Sequence, residues 1–135
     1  MATFNKINAF TKGLGDKLFN LGTDQFVIAL TNTAHTSTWD RLTDLTQISY
    51  TNLSSRNITT TSWSQTSGTA KLILADLTLT ATGSVGPFRY VYVYDDTSTN
   101  DLLVGYYDYG SSVTLASGDT FSIDFDGTNG LLTNV

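Results

Sequence analysis

Between Phe88 and Tyr94 the chain reads Phe-Arg-Tyr-Val-Tyr-Val-Tyr, an unbroken two-residue alternation. Successive side chains of an extended chain point to opposite faces. The run therefore predicts a strand with one aromatic face (Phe88, Tyr90, Tyr92, Tyr94) and one mostly aliphatic face (Arg89, Val91, Val93). A polar turn over 95–101 follows, then Leu102 to Tyr109, a second strand of similar length. The two form an antiparallel hairpin. Together with the other short strands and turns along the chain, the hairpin points to a β-sandwich or closed barrel.

The rest of the chain agrees. Phe26, Ile28 and Leu30 alternate with Val27, Ala29 and Thr31, which predicts a strand. The small and polar run 32–41 reads as a loop, and Leu42 to Tyr50 as a short strand. Ile58 to Ser64 is a threonine-rich strand with one wet face or a free edge. Lys71 to Leu79 holds two short strands around Asp76, with Leu72, Leu74, Leu77 and Leu79 as core. Val113 to Leu115, then Phe121, Ile123 and Phe125, and finally Leu131 to Val135 complete the strands, with glycine turns between them. Pro87 sits at the mouth of a strand, where a missing N–H does little harm. Only the first twenty residues have helical spacing: Phe4, Ile7, Phe10, Leu14 and Leu18 line one face. Thr3 is the expected N-cap, while Gly13 and Gly15 weaken the helix. The expected fold is thus mainly β, an antiparallel β-sandwich or jelly-roll-like barrel with one short N-terminal helix. Its 135 residues make a single domain, a helix over 1–20 and a sandwich over 24–135.

Composition narrows the function. Charged residues are 14% of the chain, against about 25% in a typical soluble domain, and every acid is aspartate. The net charge of −5 argues against nucleic acid as a partner. No apolar run reaches the roughly 18 residues of a membrane helix, and the N-terminus lacks the pattern of a secretory signal. Synthesis in the cytoplasm and no membrane association are expected. With no cysteine there is neither a disulfide framework nor a thiolate metal site.

Catalytic chemistry finds little support. His35, the only histidine, lies among small polar residues and reads as a solvated loop side chain; no Gly-x-Ser-x-Gly elbow accompanies it. Asp95-Asp96 reads as a turn, where aspartate bonds its own backbone. Asp124 and Asp126 share a strand face, and the run Asp124 to Gly130 only loosely resembles a calcium loop, lacking the glycine at its sixth position and the final glutamate. No catalytic residue, cofactor or metal is expected. Aromatic side chains are the richer set: Phe4, Phe10, Trp39, Trp63, Tyr90, Tyr92, Tyr94, Tyr107 and Tyr109 are candidate interface residues, since each offers apolar area and tyrosine and tryptophan add a polar tip. Alternate tyrosines could instead pack inside the sandwich, or stack on sugar rings.

Several segments carry a resemblance. Met1 to Lys6, then Asn20-Leu21-Gly22-Thr23-Asp24 leading into Phe26 to Asn32, look like the start of a family of small tailed-bacteriophage virion proteins. Gly86 to Asp96, Asp101 to Gly110 and Gly118 to Asp126 fit the same family. The resemblance covers nearly the whole chain, most weakly over 32–65, and rests on strands and turns, not on a reactive signature. It implies a structural, non-enzymatic virion role. As a capsid decoration, or cement, protein on the outer capsid surface, the chain would have the major capsid protein and itself, as dimer or trimer, for partners. A tail or fibre component is the alternative, and a carbohydrate-binding module using Trp39, Trp63 and the tyrosines is a second.

Overall fold

The computed structural model describes residues 2–134. Among them, ten strands and one short helix form antiparallel sheets around one continuous core. The order is β1 (Phe4–Lys6), α1 (Asn8–Gly15), β2 (Phe26–Thr31), a 3-10 turn (Leu42–Asp44), β3 (Asn57–Ile58), β4 (Thr60–Thr66), β5 (Thr69–Leu74), β6 (Leu77–Thr80), β7 (Val85–Asp95), β8 (Leu102–Leu115), β9 (Thr120–Ile123) and β10 (Leu132–Asn134).

The alternating hairpin is the spine. β7 and β8 lie at the centre of a five-stranded sheet ordered β1-β8-β7-β2-β3. Tyr92 stands opposite both Ala29 and Tyr106, and Val91 opposite both Leu30 and Tyr107. Directly opposed residues share a face, so Leu30, Val91 and Tyr107 form one face and Ala29, Tyr92 and Tyr106 the other. The first face packs on β9 and the segment after it in a sandwich-like arrangement: Tyr107 packs on Phe125 at 6.3 Å and Tyr109 on Phe121 at 5.1 Å, while Phe88 also meets Phe121 at 5.1 Å. Among the described residues the sheets keep free edges and do not close into a barrel.

Several expectations are corrected. The helix does not run over 1–20, and its N-cap is Ile7, not Thr3. Phe4 to Lys6 instead pair with Tyr107 to Gly105 as an edge strand. Gly105 makes this possible, because a Cβ there would lie 2.7 Å from the Asn5 carbonyl oxygen and still closer to the Phe4 ring. The helix stops at Gly15 and the chain reverses at Lys17, whose φ is 65°. Phe19 then folds back on Phe10 at 4.7 Å, over Gly13, while Leu18 is left half exposed. In place of a strand over Leu42 to Tyr50 there is the 3-10 turn and an isolated bridge between Thr31 and Gln47. The threonine-rich strand divides at Thr59 into β3 and β4, which belong to different sheets. Val113 to Leu115 is the end of a long β8, and β7 begins at Val85, ahead of Pro87. The last strand is Leu132–Asn134; Val135 lies outside the described residues.

Loop 32–56 is the covering layer that the sequence could not show. Thr31, fully buried, pins its start by donating to the Thr46 carbonyl at 2.6 Å and accepting from Thr33 N–H. The loop then seals part of the outer edge of β2. Ile28 N–H donates to the Arg56 carbonyl, Ile48 N–H to the Leu30 carbonyl, and Leu30 N–H to the Tyr50 hydroxyl. An edge covered in this way cannot recruit another strand there.

Candidate functional site

Three places hold concentrated side-chain chemistry: the aromatic face under loop 32–56, an acid pair at the end of β7, and an open depression beside Tyr109.

The aromatic face is built by register. Val27, Ala29 and Thr31 on β2 set Tyr94, Tyr92 and Tyr90 side by side on β7. Tyr106 stacks on Tyr92 at 5.2 Å, and His35, brought down by the loop, stacks on Tyr106 at 4.4 Å. Trp39 meets His35 edge-on at 5.7 Å. His35 Nδ1 lies 2.7 Å from the Tyr92 hydroxyl. Burial pushes the Tyr92 hydroxyl far above the usual tyrosine range and lowers His35 from its ordinary value. The hydroxyl thus keeps its proton, and it shares one hydrogen bond with Nδ1. At the other end Arg56 lies over the Tyr50 ring at 3.7 Å and donates to the Ile28 carbonyl. Tyr94 is raised by burial, which the Arg56 hydrogen bond and charge partly offset.

This geometry changes the reading of the aromatic set. Tyr90, Tyr92, Tyr94, Tyr107 and Phe10 are buried, so the row is core in the single chain and not an outer interface. Loop and sandwich cover both faces of the hairpin. Phe88 leaves the row altogether, crossing a register shift to meet Phe121. Phe4, Trp39, Trp63 and Tyr109 are half-buried and keep some surface. His35 is no solvated loop residue; its partners Tyr92 and Tyr106 hold it. The signal available in sequence was two aromatic rings, His35 and Trp39, four residues apart in a loop of small polar residues.

The acid pair lies where β7 enters its turn. Asp95 Oδ1 accepts from Thr97 N–H at 3.0 Å and Ser98 N–H at 3.1 Å, the turn expected of an aspartate there. Yet Asp95 is fully buried and its Oδ2 has no ordinary donor. Burial first, and then a hydrogen bond with the Asp24 carboxyl and its charge, push Asp95 up to about 8. A carboxyl buried beside a second carboxyl keeps its proton, which accounts for an oxygen without a donor. Asp24 is itself placed by accepting from Asn20 N–H at 2.8 Å.

The depression, about 480 Å³, is lined by Ala2, Asp108, Tyr109, Gly110, Ser122 and Asp124. Asp108 is held by Arg89 through two bonds of 2.7 and 3.1 Å, which set its carboxyl below the usual range. Asp124 and Asp126 do not share a strand, since β9 ends at Ile123. Asp126 instead caps the following turn, accepting from Thr128 and Asn129 N–H. No group of three or more His, Cys, Asp or Glu side chains among the described residues is placed to hold a metal ion. No helix among them is long and apolar enough to cross a membrane.

The fold and these sites define the chain as a mainly antiparallel β protein with one short helix. No protein-family model, curated protein or solved structure matches it.

Proposed function

We propose that the chain is a non-enzymatic structural protein of a tailed-phage virion, a decoration or cement protein that lies on the outer capsid and bridges major capsid subunits. One observation carries the reading: the chain buries most of its aromatic residues and faces solvent with hydroxyls more than with charge. Thr61, Ser64 and Thr66 on β4, Thr78 and Thr80 on β6, Thr120 and Ser122 on β9, and Ser111, Ser112 and Thr114 on β8 are all exposed. Taking hydroxyls out of water costs far less than taking out charges. Such surfaces suit many modest contacts, which become strong when repeated around a shell. The resemblance to tailed-phage virion proteins supports the same role, and the acidic charge is harmless outside the shell, away from DNA.

The test is add-back. Particles assembled without this chain should bind the purified protein saturably and regain resistance to heat. Absence of binding, with particles of full stability lacking the chain, would overturn the proposal. Binding at the tail alone would select the tail or fibre alternative.

A second reading rests on the depression at Tyr109. A half-buried ring beside Asp108, Asp124 and Ser122 combines a stacking surface with hydrogen-bond acceptors, the two elements of a sugar subsite. Glycan binding by the purified chain, abolished in Tyr109→Ala, would establish that reading.

A further inference from the structure

The outer edge of β4 is a long strand edge left open among the described residues. β4 ends the sheet β10-β5-β4, and no described backbone bond reaches its outer side. The other edge strands of the two larger sheets, β1, β3 and β10, are two or three residues long, whereas β4 has seven. Exposed edges are commonly protected by lysine, proline or inward charge. Here no charged residue and no proline stands between Arg56 and Lys71.

The direction of the free groups follows from the register. Leu131 N–H donates to the Leu72 carbonyl, so the backbone of Leu72 points toward β10. Trp63 stands opposite Leu72 across β5 and β4. The two therefore form a non-hydrogen-bonded pair, and the N–H and C=O of Trp63 point outward. Gln65, two residues on, points its groups the same way.

The sequence of this edge is nearly palindromic. Thr60-Thr61-Ser62-Trp63-Ser64-Gln65-Thr66 reads almost alike in both directions about Trp63. We infer that β4 pairs antiparallel with β4 of a second copy about a two-fold axis at Trp63, joining two three-stranded sheets into one. Trp63 then exchanges both backbone bonds with its counterpart. Ser62 faces the partner's Ser64, Thr61 faces Gln65, and Thr60 faces Thr66, which opposes hydroxyls and amides with no like charges in contact. The two indoles come together on the inner face, covering the part of each ring left exposed beside Phe10, Leu14, Leu21 and Leu132. The register shift between Thr60 and Ser62 twists one end of the edge, which limits pairing to a short ladder and makes the dimer concentration-dependent. Pairing of this kind is independent of whether the chain serves in a virion.

Sedimentation velocity on the purified chain, from micromolar to millimolar, reads the dimer directly. The double variant Ser62→Lys/Ser64→Lys opposes lysines twice across the axis and should weaken dimerisation roughly tenfold or more. Ser62→Lys/Ser64→Asp, with the same two positions changed, opposes unlike charges and should retain the dimer; circular dichroism and thermal unfolding check that both fold. The chain has no cysteine, so Ser62→Cys/Ser64→Cys supplies an independent reading: mild oxidation should give a disulfide-linked dimer, since non-hydrogen-bonded partners lie about 4.5 Å apart at Cα. A chain that stays monomeric at every concentration, or a dimer indifferent to the lysine pair, would overturn the inference.

Discussion

Replacing Asp95 with asparagine keeps the shape of the side chain and removes its titration. In the native protein Oδ1 serves the turn, and burial beside the Asp24 carboxyl makes the other side of the group keep a proton. An asparagine keeps the first role and is uncharged on the other side, at every pH. The folded state holds the Asp95 proton up to about 8, while the unfolded chain releases it near an ordinary value of about 3.9. Between these limits the folded state binds the extra proton, so native stability falls as pH rises. Below the lower limit both states are protonated and the cost disappears. One proton is worth about 1.4 kcal/mol per pH unit, which sets a ceiling of about 4 kcal/mol at pH 7. Water in the neighbouring groove, lined by Asp24, Thr97 and Ser98, lowers this, and roughly 1–3 kcal/mol is expected. Asp95→Asn should therefore be more stable than the native chain at pH 7 by that amount, about 3 °C in Tm per kcal/mol, and indistinguishable from it near pH 4. Urea unfolding of both proteins at pH 4, 5.5, 7 and 8 gives the difference directly. The carboxyls that neighbouring donors hold low, Asp40, Asp108 and Asp126, cancel in that difference. A variant destabilised equally at all four values would refute the retained proton.

Other outcomes follow from packing. Tyr92→Ser removes a fully buried ring and its bond to His35, so it should cost about 3–5 kcal/mol and leave little folded protein by circular dichroism. A soluble folded Tyr92→Ser that merely failed to assemble would restore the outer-interface reading. Gly105→Ala forces Phe4 and the Asn5 backbone off β8, at a cost of about 1–3 kcal/mol. Its signature is loss of hydrogen-exchange protection at β1 with β7 unchanged. His35 should titrate below its ordinary value by NMR, and Tyr92→Phe, which removes the hydrogen bond to Nδ1, should cost about 1 kcal/mol in denaturant unfolding.

What was legible in the sequence was whatever a two-residue period could carry. β2, the β7–β8 hairpin, the division of β5 from β6 around Asp76, and β9 all rest on local alternation, and each formed there, with the ends of β7, β8 and β9 shifted. Segments whose structure comes from distant partners were not legible. Phe4 to Lys6 have helical spacing with Ile7 and Phe10, but β8 offers them a ladder and a glycine that lets Phe4 in, and tertiary pairing wins. Loop 32–56 offers only a misleading strand-like stretch at Leu42 to Tyr50, yet it covers the tyrosine row that would otherwise have been an exposed face. For Asp95 the turn was readable from the residue type. Its burial against Asp24 was not, because the two meet only when β2 lies beside β7.

The central claim, a structural role on the capsid, is tested most directly by counting this polypeptide in purified particles against the major capsid protein, by quantitative mass spectrometry with imaging to place it. The account expects a count that scales with the capsid subunits and density on the outer shell. A count set by the tail would move the chain to a tail or fibre position, and absence from the particles would contradict the account.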